Sequence, residues 1–136
     1  MSEKFGPFTI PENHIIKKTK LSYVFTDLRP AIDGHILVSP LRSVQFFEEL
    51  TQEEKIDLTN LANISGHIMK KHLGVPELSI TIQNGPIAGQ TVPHVHMHII
   101  PRTIPAKWLK SPNLDPDVQA QLTEKYKKFF EEEGQL

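Results

Sequence analysis

The segment His94-Val95-His96-Met97-His98, followed by Ile99-Ile100-Pro101, alternates imidazole with apolar side chains, and only an extended chain puts residues i, i+2 and i+4 on one face. It predicts a strand from His94 to Ile100. Its one face is a wall of three imidazoles, with Val95, Met97 and Ile99 packed behind it. Three of the seven histidines of the chain stand on this face. Imidazole is the side chain whose ordinary titration falls near neutral pH.

A metal is a poor fit for all three rings, because strand positions four apart are separated by roughly 13 Å and zinc bonds nitrogen at about 2.0 to 2.1 Å. Two rings could share an ion, but a further ligand would have to come from elsewhere, and the chain has no Cys. No metal ligand is assigned. Two imidazolium ions about 7 Å apart repel by about 2.4 kcal/mol at an effective dielectric of 20. The three rings therefore resist full protonation. A neutral nucleophile beside a partly protonated neighbour is suited to attack on a phosphoryl group. Upstream, Gln83-Asn84-Gly85-Pro86-Ile87-Ala88-Gly89-Gln90-Thr91-Val92-Pro93 offers turn amides, amide side chains and a hydroxyl, a donor-rich nest for phosphate oxygens.

The remaining pattern predicts an α+β fold: an antiparallel sheet of about five strands with a central helix and a C-terminal helix. Alternating runs at Leu21 to Asp27 and His35 to Ser39 read as a hairpin, and Leu78 to Gln83 as a strand beside the triad. Thr51-Gln52-Glu53-Glu54 fits a capping box that opens a helix, whose Leu58, Leu61, Ala62, Ile64 and Ile68 form a buried stripe before Gly74-Val75-Pro76 stops it. A last helix begins at Asp115-Pro116 with Val118, Leu122, Tyr126 and Phe129 or Phe130 on one stripe. The 136 residues are expected to form one domain, 1–136.

A net charge of -1 argues against a nucleic-acid binder, which would show a basic face. No apolar stretch is long enough to span a membrane, and the start shows no signal-peptide pattern. A soluble, cytoplasmic protein is expected, with the nucleus left open.

Gly85-Pro86, Ala88-Gly89-Gln90-Thr91-Val92, His94-x-His96-x-His98 and Pro101-Arg102, with Phe5-Gly6, Leu21-Ser22 and Gly34 through Arg42, resemble the histidine triad (HIT) superfamily. The resemblance runs from Phe5 to Arg102 and is closest to the fragile-histidine-triad branch of dinucleoside polyphosphate hydrolases. It implies cleavage of diadenosine triphosphate or tetraphosphate at the α-phosphate, with His96 as the nucleophile, a nucleotidyl-histidine intermediate and release of AMP. His94 and His98 would orient it and donate to phosphate and leaving-group oxygens, and His35 would support them. Gln83, Gln90 and Thr91 would hold the phosphate chain, Asp27 the ribose hydroxyls, and Phe5, Phe8, Ile10, Phe25 and Leu37 the base. The resemblance further implies a homodimer and no tightly bound cofactor, with magnesium or manganese entering alongside the substrate. A nucleoside phosphoramidase of another branch and a non-catalytic dinucleotide-binding module stay open. Relatives commonly have His at Phe8, an aliphatic residue at Phe25, Asn at Asp27, and a long loop where Thr103 to Pro112, with Trp108, makes a short bridge.

Overall fold

The computed structural model describes residues 1–105 and 112–134, so Trp108 lies outside the described residues. A short hairpin, β1 (Glu3–Phe5) and β2 (Phe8–Ile10), precedes a five-stranded antiparallel sheet of β3 (Ile15–Lys18), β4 (Ser22–Thr26), β5 (Ile36–Pro40), β6 (Glu77–Ile82) and β7 (Met97–Arg102). The strand order is β3-β4-β5-β7-β6, with helix α1 (Gln52–Leu73) inserted between β5 and β6 and helix α2 (Pro116–Glu133) after β7. The expected α+β architecture is the observed one.

Strand periodicity decides which side chains meet. Val24, Val38 and Met97 stand in one cross-strand row, and Ile36 pairs with Ile99 beside it; these residues join the core that α1 and α2 cover. The alternate row runs Phe25, Leu37, His98 and Thr81 across β4, β5, β7 and β6. On that face Phe5 from the hairpin packs with Ile15, Tyr23, Phe25 and Leu37 in a second apolar cluster. As expected, Val95, Met97 and Ile99 pack behind the imidazoles.

Helix α1 starts where the capping box placed it: Thr51 Oγ1 accepts from the Glu54 amide at 3.1 Å, while Glu54 Oε1 accepts from the Thr51 amide at 2.8 Å. Leu58, Leu61, Ala62 and Ile68 are buried as expected, and Ile64 is half-buried. In α2 the expected stripe is rotated. Gln119, Thr123, Tyr126 and Phe130 are buried, whereas Val118 is 42% exposed. The cause is polar: Gln119 Nε2 donates to the Thr26 carbonyl at 3.1 Å, and the hydroxyls of Thr123 and Thr26 meet at 3.1 Å, so the end of β4 finds its partners on α2.

Gly34, at φ +89°, joins these layers. A Cβ there would collide with Leu73 and lie 3.0 Å from Pro101, and the Gly34 amide donates to Tyr126 Oη at 2.8 Å. Gly34→Ala is expected to destabilise the fold by about 2 to 4 kcal/mol, through left-handed strain and overpacking together. Urea unfolding measures this directly; an unchanged midpoint would show that the turn relaxes at no cost.

Candidate active site

The triad strand begins later than the alternation predicted. Only Met97 onward joins the ladder, because the preceding backbone bonds elsewhere: the Val95 amide donates to Val44 O at 2.8 Å, and the His94 amide to Val92 O at 2.8 Å. The wall survives nonetheless. The rings of His96 and His98 lie 5.1 Å apart, and Phe5 contacts both His94 at 5.3 Å and His96 at 5.0 Å.

Hydrogen bonds fix which nitrogen of each ring carries the proton. His94 Nε2 lies 2.8 Å from the Pro40 carbonyl, which can only accept, so Nε2 is the N–H. Its Nδ1 then accepts from the Gly6 amide at 3.0 Å, with Ser43 Oγ at 3.1 Å. Both nitrogens of this fully buried ring are thus bound by protein. His94 was expected to donate to phosphate; here its ring is a structural post, and its backbone carbonyl does the orienting. That carbonyl accepts from His96 Nδ1 at 2.7 Å. His96 consequently keeps the lone pair of Nε2.

The second rank of imidazoles obeys the same logic. The Ala31 amide donates to His35 Nδ1 at 2.8 Å, which places the His35 proton on Nε2. This N–H faces His98 Nδ1 at 3.0 Å and Asp27 Oδ2 at 3.1 Å. His98 Nδ1 is therefore an acceptor, and the proton of the neutral His98 ring sits on Nε2. A nucleophilic nitrogen on His96 and a donor nitrogen on His98 stand on adjacent rings.

Burial pushes all four imidazoles below their ordinary titration range. For His98 the neighbouring His96 and His35 add to that effect, and Asp27 opposes it. For His35, Asp27 opposes burial while Arg102 and His96 reinforce it. The triad is accordingly neutral at pH 7.

The other expected site residues fall into three groups. Phe5, Phe25 and Leu37 are buried and packed on one another, with Phe5 and Phe25 edge to face at 5.0 Å and Ile10 partly buried beside them. They form a satellite apolar core on the triad's side of the sheet. Phe8 stands outside it and is 56% exposed. In the loop, the Gly85, Ala88, Gly89 and Gln90 amides bond back to Gln83, Gly85 and Pro86 carbonyls, so the expected nest of amides is closed on itself. Gln90 is buried, its Nε2 donating to the Gln45 carbonyl at 2.8 Å, while Gln83 lies against Gly89 and Thr91 is exposed. Of the expected phosphate-holding side chains, Thr91 is exposed and Gln83 is half-buried. Asp27 is turned inward to His35, and its Oδ1 accepts from the Arg29 amide at 2.8 Å. There the carboxylate, itself only 15% exposed, offsets the cost of burying the His35 N–H. Sequence reasoning missed Gly6, Ala31, Pro40 and Ser43 as partners of the imidazoles; three of them act through backbone atoms and leave no side-chain signal.

Asp27, His35 and His98 also bring three potential metal-ligating atoms within 4.8 Å of one another. Their surroundings do not suit an ion. A metal on His35 Nε2 requires a proton on Nδ1, but Nδ1 is the acceptor of the Ala31 amide, and two N–H groups would face each other. A shallow depression between β3 and α2, lined by Ile16, Lys17, Glu124 and Phe130, contains no residue of the triad.

The arrangement defines a protein with a row of buried imidazoles, each oriented by its own neighbours, on an antiparallel sheet. The chain belongs to the HIT domain family, whose model matches residues 9–104. It is 44% identical over 101 residues to the bifunctional bis(5'-adenosyl)-triphosphatase/adenylylsulfatase FHIT of Arabidopsis thaliana, covering 74% of this chain and 56% of that protein. It is 42% identical over 98 residues to a bis(5'-adenosyl)-triphosphatase of Dictyostelium discoideum, covering 72% and 66% respectively. The chain thus matches only about half to two thirds of the length of these relatives. The structure superimposes on the Plasmodium falciparum diadenosine triphosphate hydrolase solved with cyclomarin A, with a TM-score of 0.89 and 33% identity, covering 98% of this chain and 87% of that one.

Proposed function

We propose that this chain is a hydrolase that cleaves dinucleoside polyphosphates, diadenosine triphosphate and tetraphosphate among them, at the α-phosphate. The observation that carries the reading is the His96 ring. With its Nδ1 proton held by the His94 carbonyl, Nε2 presents a lone pair at neutral pH, next to the Nε2 proton of His98. In the reaction His96 Nε2 bonds to the α-phosphorus as the bond to the leaving-group oxygen breaks. The Nδ1 proton stays on the ring throughout, so the nucleotidyl-imidazole carries positive charge and is a good leaving group. Water then attacks the phosphorus and releases a proton to solvent as the N–P bond breaks, so that AMP departs and His96 is again neutral. The His98 proton stabilises the phosphate oxygens in both steps, and Gln83 and Thr91 hold the chain of phosphates.

The protein works with no tightly bound cofactor, and magnesium or manganese arrives with the phosphates it neutralises. It acts as a homodimer, a reading supported by β6, which ends the sheet with an open edge and a 52% exposed Ile80. It resides in the cytoplasm or nucleus; no helix among the described residues is long and apolar enough to cross a membrane. Rapid acid-free quench of a turnover mixture, followed by peptide mass spectrometry, is expected to find an acid-labile adenylyl group on the peptide containing His96. Hydrolysis with no such adduct, or an adduct on another histidine, would remove the assignment.

A further inference from the structure

Asp27 Oδ2 is 3.1 Å from His35 Nε2 and 3.8 Å from His98 Nδ1, while the two nitrogens are 3.0 Å from each other. The three atoms form one triangle. When both rings are neutral, a single proton on His35 Nε2 serves it, shared between the His98 nitrogen and the carboxylate. The triangle behaves differently once His98 is cationic. A proton on His98 Nδ1 then points at the proton on His35 Nε2, and His35 cannot release its own, because its Nδ1 is already committed to accepting from the Ala31 amide. Two N–H groups 3.0 Å apart repel unless a third group accepts from both. Asp27 Oδ2, 3.1 Å from His35 Nε2 and 3.8 Å from His98 Nδ1, needs to close by less than 1 Å to accept from both, and its negative charge offsets that of the imidazolium.

We propose that Asp27 is a positioning residue for His98: its carboxylate is the shared acceptor that allows His98 to take up a second proton when the site holds a phosphate dianion. This deepens the proposed function and rests on it, since the dianion is the nucleotide's. An imidazolium next to the departing or attacking oxygen stabilises negative charge better than a neutral N–H, by the difference between charge-assisted and neutral hydrogen bonds. Among the described residues, the charged and titratable groups around His98 are few. His96 lies beside it just before β7, His35 and Asp27 face it from the residue before β5 and the residue after β4, and Arg102 acts on His35 from the end of β7. Across the sheet, β5 and β6 contribute only Leu37 and Thr81 in register. Asp27 is thus the sole negative charge among these groups.

The test counts protons. Binding of 2',3'-dideoxyadenosine 5'-monophosphate is followed at pH 6.5 by calorimetry in two buffers of different ionisation enthalpy, for the wild type and for Asp27→Asn. The asparagine keeps the shape of the side chain and can still accept from Arg29, and the ligand has no ribose hydroxyls to lose. The wild type is expected to take up at least about half a proton more than Asp27→Asn, and 15N spectra of labelled histidine should place that proton on His98. Equal uptake by both proteins would overturn the proposal. So would 15N spectra of the ligand-free wild type at pH 7.5 that put the His98 proton on Nδ1. If neither protein binds the nucleotide, the proposed function fails and this inference falls with it; binding with equal uptake removes the role of Asp27 alone. A merely structural asparagine effect would weaken binding without changing the proton count.

Discussion

His96→Ala is expected to lose at least about a thousandfold in turnover while its affinity for the dinucleotide stays within a few-fold of the wild type. The reason is local. The other rings cannot take over: both nitrogens of His94 are bound to Pro40, Gly6 and Ser43, and the Nδ1 of His98 faces His35. No second imidazole lone pair stands in the position that Nε2 of His96 vacates. Removing the ring also deprives Phe5 of an edge contact at 5.0 Å, so circular dichroism should accompany the assay to verify that the fold is intact. Steady-state hydrolysis of diadenosine triphosphate by a pure sample, with equilibrium binding measured separately, checks the split. Turnover within tenfold of the wild type would transfer the covalent step to another residue.

A second large effect concerns acid. His35, His94, His96 and His98 are all buried and all hold their protons more weakly in the folded protein than in the unfolded chain, where imidazole titrates near 6.5. The sign follows from proton counting. Below about pH 6.5 the unfolded chain binds protons that the folded chain refuses, so stability is intact above that pH and is lost as the pH falls through it. Each ring contributes up to about 1.4 kcal/mol per pH unit, and four together up to about 5 kcal/mol per unit. Against a typical total of about 5 to 15 kcal/mol, a slope approaching that limit makes acid the main threat to the fold. Glu54, which Arg42 grips through both carboxylate oxygens at 3.0 and 2.7 Å and whose carboxyl is held down to about 2, works in a lower window. Its support is present above about 4.5 and is lost only below that. Urea midpoints at pH 7.5, 6.5 and 5.5 should therefore fall steeply over the last step. A flat series would mean that the imidazoles charge within the folded protein.

What the sequence made legible and what it concealed divide along a physical line. Features set by residues close in the chain could be read directly: the Thr51 and Glu54 cap, the Gly74 stop, the Asp115-Pro116 start and the alternation behind the triad. Strand β3 escaped because Ile15-Ile16-Lys17-Lys18 does not alternate. The pleat sends Ile15 to the Phe5 cluster and Ile16 to the helix-covered core, so both are buried, and a register shift between Ile15 and Lys17 breaks the period further. The β1–β2 hairpin has strands of three residues each, too short for a period to show. In the site, the identity of the imidazoles was evident, whereas their roles depended on partners distant in sequence. Pro40 lies 54 residues from His94, and His35 lies 63 from His98. The inward turn of Asp27 and the rotation of α2 have the same origin, in polar groups whose neighbours only the assembled sheet supplies.

That rotation of α2 ties the helix to the chemistry. Gln119 and Thr123 bind Thr26, immediately before Asp27, and Tyr126 binds the Gly34 amide and Asp33, immediately before His35. The helix thus grips both ends of the segment that carries the carboxylate and its imidazole, much as two stitches hold the ends of a seam. By linkage, whatever free energy a bound nucleotide adds to the order of that segment is returned in equal measure as tighter docking of α2. Amide exchange in α2, on the far side of the sheet from the triad, thereby becomes a gauge of occupancy at the wall of imidazoles.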